Sequence, residues 1–471
     1  MIEKIIDWSA NNRFIVILLY IIIVGYGIYS VINLPVDAIP DLSENQVIVF
    51  TEWMGRSPQI VEDQVTFPIV SGLQGLPDVK AVRANSMFGM SFVFVIFDDN
   101  VDLYFARSRV IERMNTIQAQ LPDGVVPTLG PDGTGVGHVF WYTVEGKDYD
   151  LGTLRSVQDW YIRYKLAAVD GVAEVASIGG YVKQYQVDVN PNDLRAYNLT
   201  VSDVVSAVQR SNNEVGGKIV EVSDAEYFVR GQGYIKSKDD VENTVIKSYA
   251  NGIPILIKNV AKVQLGGDIR RGALEKDGEG QVVGGIIVMR TGENAQRVIE
   301  RVKEKIKEIS PGLPPGVSIV ASYDRSTLIK EAIGTLDRAL IEAAIVVAIM
   351  IALFLLHFRS IVRILIEIPI AVLISFILMY TFDITSNIMS LGGIILAIGV
   401  IVDSSIVLVE NAYRNIAKAI EEKGSLTKEE YKKISIDSAK QVGRAIFFSN
   451  KYFSYWIFIF RSEFTTHQHR H

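Results

Sequence analysis

NIMSLGGIILAIGVIVDSSIVLVENAYRN, residues 387–415, is long and apolar enough to cross a bilayer, yet it carries an aspartate near its middle. A hydrocarbon core needs roughly 20 apolar residues, and residues 387–412 supply them. Fifteen uncharged residues precede Asp403, back to Ile388. A charge at such a position costs about 2.5–3.5 kcal/mol on insertion scales. A partner cation, water, or a proton that keeps the acid neutral must offset that cost. Glu410 follows seven residues later, so both carboxylates share one helix face. Gly399 sits one turn before Asp403 on that face. Gly393 and Ala397 form a small-xxx-small pair that admits a neighbouring helix. Asp403 is therefore either a proton relay or a buried polar group that fixes helix packing. Ionisable groups inside membranes usually mark ion paths, which favours the relay. Glu410 is either a second relay member or an acid at the cytoplasmic interface.

Working outward, residues 336–356 and 364–382 read as two more spans. Residues 14–36, FIVILLYIIIVGYGIYSVINLPV, carry no charge and read as the first. A cleaved signal peptide is the alternative. It fails because the run exceeds an h-region of roughly 7–15 residues and no Ala-x-Ala site follows. Lys4 and Arg13 precede the first span, Arg359 and Arg363 separate the second from the third, and Arg414, Lys418 and Lys423 follow the fourth. All fall on one side, which the positive-inside rule makes cytoplasmic. Glu367, before Pro369, reads as the partner of Arg363 in an i,i+4 pair, and Glu342 as interfacial.

Composition narrows the function. The 471 residues are 49% hydrophobic and 21% charged, with mean hydropathy +0.24, a net charge of −6 and pI near 5.6. Nucleic acid is not an expected partner. The absence of cysteine excludes disulfides, thiolate metal sites and cysteine nucleophiles. Soft-metal chemistry must then use Met, His or carboxylate. Nine methionines occur. Met389 lies at the outer end of the fourth span, where a soft ion could enter; Met87 and Met90 bracket Phe88-Gly89. Methionine is more often core filler than ligand. No Walker loop appears, which favours proton drive over ATP drive.

About 300 residues separate the first two spans, too many for a connector. They alternate strand and helix. Strand 46–53 leads to helix 57–75, strands 81–84 and 91–97, and helix 101–121. The order restarts at strand 139–144, helix 151–168 and strands 173–178 and 184–189, and again at 282–289, 295–309 and 317–322. Such recurrence predicts split βαβ modules of ferredoxin-like type. Between 182 and 271 the rhythm breaks, with Gly-rich turns expected at Gly216-Gly217 and Gly266-Gly267. An inserted subdomain is expected there. The fold class is thus an α-helical membrane protein with a large extracytoplasmic α+β loop domain.

One early span, a large external loop and a later cluster of spans resemble the resistance-nodulation-division (RND) transporters. LPVDAIPDLSENQV (34–47), GPDGTGVG (130–137), LRSVQDWYIRYKL (154–166), VAEVASIGG (172–180), YDRSTLI (323–329), NIMSLGGI (387–394) and VDSSIVLVENA (402–412) look like the heavy-metal efflux branch, most like its Cus-type copper/silver pumps. The resemblance covers residues 1 to about 448. It implies porter subdomains at 37–135 and at 136–181 plus 272–330, and a docking or funnel subdomain at 182–271. It implies a cytoplasmic N-terminus at 1–13 and a cytoplasmic segment leading into a fifth helix at 413–448. It assigns the relay to Asp403, the VEN glutamate to Glu410 and an inner-path metal contact to Met389. Divalent-cation members usually place an Asp six residues before the relay; Ala397 there favours the monovalent class. Copper/silver members tend to have a Met two residues before the relay; here it is Ile401.

The resemblance further implies proton-driven export of a heavy-metal cation, with metal and protons as substrates and no cofactor. It implies a homotrimer at an inner membrane, joined to a periplasmic adaptor and an outer-membrane channel. Family members have twelve spans, so a truncated N-terminal half is expected, with an aberrant tail at 449–471 in which Asn450-Lys451 interrupts the fifth span. The His-rich ending at 467–471 has a metal-binding alternative. An inactive membrane-anchored periplasmic remnant and a drug-type exporter are the competing functions.

Overall fold

The computed structural model describes residues 2–222, 225–231, 233–249, 252–270, 272–355, 358–382 and 384–468, without side chains at 337, 340, 343, 344, 347, 348, 350–365, 398, 402 and 450–468. Two helices lead, α1 (Ile2–Asn11) and α2 (Arg13–Asn33). A first α+β unit follows. Its strands are β1 (Gln46–Glu52), β2 (Val79–Met87), β3 (Met90–Phe97) and β4 (Pro127–Leu129). They pair antiparallel in the order β2-β3-β1-β4. With helical segments at 58–73 and α3 (Leu103–Ile117) as the crossovers, this is the split βαβ arrangement. Strict alternation along β1 turns Val47, Val49 and Thr51 inward. They meet Val61, Val65 and Ile69 from 58–73, and Ala106, Val110 and Met114 at helical spacing along α3. Asp102 starts α3 by accepting from the Phe105 N–H at 2.8 Å. A π-turn at Glu62–Thr66 interrupts the helix expected over 57–75.

The second unit repeats the topology. Its strands are β5 (His138–Glu145), β6 (Val172–Gly179), and, after an insertion, the β13–β14 hairpin (Leu274–Glu275 and Gln281–Met289) and β15 (Ser318–Asp324). The central order is β6-β14-β5-β15, the same pattern as in the first unit. Its core joins Val139, Val144, Leu166, Val283 and Ile287 to Val298, Ile299 and Val302 of α4 (Ala295–Ile309). Ala38 and Val36 also pack here, so residues 36–38 belong to the base of this unit rather than to the first.

The insertion leaves on β7 (Lys183–Val189) and returns on β12 (Ala261–Gly267), paired in register from Val189↔Ala261 to Lys183↔Gly267. Between them lie the hairpin β8 (Val215–Val222) and β9 (Ala225–Gly231), the short pair β10 (Val245–Ser248) and β11 (Pro254–Leu256), and a small core around Leu194, Val204, Ile257 and Val263. The expected Gly-rich turns are not turns. Gly216-Gly217 lies within β8 beside a register shift, and a Cβ at Gly217 would stand 2.6 Å from the Val229 carbonyl. Gly266-Gly267 ends β12. Glycine here permits a bulge and a close backbone approach rather than a chain reversal.

Four more helices complete the chain: α5 (Arg325–Leu355), α6 (Phe358–Thr381), α7 (Ile388–Lys423) and α8 (Lys428–Gln468). Leu34, Leu336, Ile368, Val372, Phe376, Leu391 and Ile394 form their shared apolar core. Gly27 of α2 lets Leu373 of α6 approach; a Cβ at Gly27 would stand 2.7 Å from that side chain. The backbone of α8 is helical through 450–451.

A buried polar knot joins these helices to the α+β units. Arg325, at the start of α5, lies within 3.3 Å of the Asp37 carboxylate and is almost fully buried. It also donates to the Val136 carbonyl at 2.5 Å and the His138 carbonyl at 3.1 Å. The Asp37 N–H donates to the Ser386 carbonyl, and the Ser386 N–H to the Pro35 carbonyl, both at 2.9 Å. Val36 and Ser386 thereby form an isolated parallel bridge between the end of α2 and the start of α7. Burial raises the Asp37 pKa, and the Arg325 charge beside it offsets only part of that rise. The folded protein thus holds this proton more tightly than the unfolded chain. The contribution of this group is fully present at low pH and is lost as pH rises through its folded value.

Replacing Arg325 by Met strands a buried carboxylate, at a cost of about 3–5 kcal/mol near neutral pH. The deficit should shrink as pH falls from about 8 to 5, because a proton on Asp37 removes the stranded charge. Thermal unfolding across that range measures it, and a pH-independent deficit contradicts the assignment. Gly179→Ala tests the second unit: with φ +75° and the Val282 carbonyl in its way, the alanine should cost several kcal/mol and lower the melting temperature by more than about 5 °C.

Candidate functional site

The candidate site is the outer face of α7. Asn387 caps that helix, accepting from the Met389 and Ser390 N–H groups at 3.0 Å, while its own N–H donates to the Ser390 hydroxyl at 2.8 Å. This capping box fixes where the helical register begins. One face, with Leu391 and Ile394 buried and Ile395, Ile406 and Val409 partly so, packs on the helix core. The opposite face carries Met389, Leu396, Ala397, Gly399, Asp403, Val407 and Glu410, all exposed. The two acids therefore sit on one stripe, turned away from the core. Among the described residues, a Cβ added at Gly393 or Gly399 meets nothing within 4 Å, so the helix is open at these two positions. Met389 is at its outer end, 73% exposed.

The polar groups around the acids have local partners. The hydroxyls of Ser404 and Ser405 donate one turn back, to Val400 and Ile401 carbonyls at 2.9 and 3.1 Å. Those bonds satisfy the two hydroxyls within the helix itself. Asn411, beside Glu410, donates to the Ser438 carbonyl at 3.0 Å, and Asn415 to the Ser438 hydroxyl at 2.9 Å. These bonds tie the lower part of α7 to α8.

Glu367 lies elsewhere. It lines an apolar cleft of about 700 Å³ between α2, α6 and α7, with Ile17, Tyr20, Ile21, Ile374 and Ile401. Its expected partner Arg363 falls outside the residues with described side chains. Among the described residues, no group of three or more His, Cys, Asp or Glu side chains is placed to hold a metal ion.

Sequence reasoning did not single out the Asp37–Arg325 pair, although both residues stand in the quoted stretches LPVDAIPDLSENQV and YDRSTLI. No local signal links two residues 288 positions apart. The only cue was an unexplained charge at each end of the external loop.

By length and composition, two described helices could cross a membrane, Arg13–Asn33 and Ile388–Lys423; Ile366–Thr381 is a shorter apolar helix. The second expected span, 336–356, falls largely where side chains are not described.

The pattern of the AcrB/AcrD/AcrF family matches residues 5–459. The chain is 45% identical over 456 residues to the putative cation efflux system protein SilA of Salmonella typhimurium, and 45% over 453 residues to the cation efflux system protein CusA of Escherichia coli K12. It is 38% identical over 458 residues to the cobalt-zinc-cadmium resistance protein CzcA of Cupriavidus metallidurans. Each match covers 95% of this chain and 43% of the relative, so the chain spans less than half the length of the relatives it matches. Its fold superposes on a crystal structure of a heavy metal efflux pump with TM-score 0.80 and 32% identity, over 94% of this chain and 43% of the other. The repeated split βαβ units, the helices around α7 and these likenesses agree: the chain belongs to the AcrB/AcrD/AcrF family of RND pumps, in the heavy-metal efflux branch of Cus type, and covers its N-terminal half.

Proposed function

We propose that this chain is the N-terminal half of an inner-membrane permease that exports heavy-metal cations in exchange for protons. The helices from α5 to α7 and the helix α2 cross the membrane, and the α+β units stand outside. Asp403 gains and loses the coupling proton; Glu410, two turns on, is the second acid of the path. The observation that carries this reading is the stripe on α7, where two carboxylates lie on an apolar helix whose start is hydrogen-bonded to the base of the external domain. A proton on Asp403 removes a charge from that surface and changes which neighbour α7 prefers. The Ser386–Pro35 and Asp37–Ser386 bonds pass a shift of α7 directly to the knot at Arg325. Gly393, Ala397 and Gly399 give a further helix room to approach the same stripe.

The assembly we propose is a homotrimer that works with a periplasmic adaptor and an outer-membrane channel. The β8–β9 hairpin supports it. All its described residues are exposed on both faces, with Ile219, Tyr227 and Phe228 among them, and an isolated two-stranded hairpin is marginal in water without something to pack on.

The test is Ag⁺, Cu⁺ and Zn²⁺ uptake into inverted vesicles under an imposed pH gradient, with the C-terminal half supplied as a separate chain. Asp403→Asn, a near-isosteric change that cannot cycle a proton, should reduce gradient-driven uptake to the level of empty vesicles while leaving the melting temperature within a few degrees. Uptake that persists in Asp403→Asn refutes the relay.

A further inference from the structure

Three methionines and one glutamate come from neighbouring backbone positions at the end of the first sheet, far in sequence from α7. The β2–β3 hairpin closes on Phe88-Gly89, and Met87 faces Met90 as its last cross-strand pair. Met90 in turn lies opposite Glu52 of β1. Directly opposed residues project from the same face, with Cβ atoms about 4.5–5.5 Å apart. Glu52, Met90 and Met87 thus form a row across three strands. The row is on the face away from the helices: the adjoining Thr51 and Ser91, of opposite parity, are buried against them.

The turn after β1 brings the third thioether. The Trp53 N–H donates to the Gly89 carbonyl, and the Gly89 N–H to the Arg56 carbonyl, both at 2.9 Å. This clamp lays residue 54 over the hairpin tip. Gly89 has φ +68°, and a Cβ there would stand 3.3 Å from the Met54 Cα and 3.5 Å from its sulfur. Glycine meets both demands without strain. The Arg56 guanidinium, the nearest cation on this turn, stacks on the Trp53 ring at 5.0 Å.

Met54 and Met87 are not filling a core, and Met90 is only part-buried. Met114, which does fill one, is 8% exposed, whereas Met54 is 47% and Met87 37% exposed. Glu52 and Met54 also line a solvent-open cavity of about 460 Å³, whose other walls are residues 177–182, Arg155, and Asp268 and Arg270 after β12; Arg155 is paired with Asp159. We infer that Met54, Met87, Met90 and Glu52 form a binding site for a soft monovalent cation such as Cu⁺ or Ag⁺. Thioethers select soft ions over harder divalent ones. The unbranched methionine arms can converge from three backbone positions, and the carboxylate neutralises the bound charge. Binding here requires no transport, so the inference stands or falls apart from the proton-relay reading.

The full chain in detergent, labelled with ¹³C at the methionine methyls, tests it by titration with Ag⁺ and separately with Zn²⁺. Single Met→Leu variants assign the signals. We expect the methyls of Met54, Met87 and Met90 to shift together with Ag⁺, along one isotherm, and not with Zn²⁺. Calorimetry of the Met87→Leu/Met90→Leu double variant should show one Ag⁺ equivalent lost or its affinity reduced at least tenfold, with far-ultraviolet circular dichroism and melting temperature retained. Glu52→Gln should keep the stoichiometry and weaken binding several-fold. The site is refuted if the three methyls stay in place while the protein saturates with Ag⁺, if Zn²⁺ moves them equally, or if the folded double variant binds Ag⁺ as the parent does.

Discussion

One buried guanidinium holds this chain together. Arg325 meets a carboxylate from the segment after α2, a carbonyl from the turn before β5 and another from the first residue of β5. Lysine could not replace it, since a single ammonium cannot reach that acid and both carbonyls with a planar fork. Taking two ions out of water is costly, and the cost is tolerated only because every facing group is a hydrogen-bond partner. The return is positional. Four chain segments, distant in sequence, are fixed at one place: the exit of α2, the entry of α5, the loop before α7 and the floor of the second unit. Arg297 of α4 adds a fifth tie, donating to the Ile32 carbonyl at the end of α2 at 2.5 Å.

Below that knot, α7 carries Asp403 and Glu410 on an exposed face. Above it, two α+β units of the same strand order are joined through the 130–137 loop. That loop is pressed on β14: a Cβ at Gly133 would stand 2.7 Å from Val288 and 2.9 Å from the Met289 carbonyl. The second unit is thus gripped at two ends, by the knot and by the loop.

Much of this was legible in the residues. Alternation in QVIVFTEW and the apolar spacing of 295–309 mark β1 and α4 because each buries one face and leaves the other wet. The recurrence of such segments predicted split βαβ units, and both sheets have that order. Asp403 was visible because a carboxylate in an apolar run has no local explanation. What sequence could not supply was contact between distant segments. The Gly216-Gly217 pair reads as a turn by composition but serves a bulge, since local chemistry cannot distinguish a reversal from a strand that needs its partner close. Met87 and Met90 were seen as a bracket around a turn. That Glu52 joins them depends on which strand lies next to β3, and nothing local encodes that.

The insertion is held by the paired ribbon β7–β12, seven residues in continuous register. Two strands bonded along their length resist bending and twisting far more than two separate tethers would. The ribbon grows from the end of β6, so the inserted region is geared to the second unit. The orientation of the inserted region therefore follows that of the strand pair at its base.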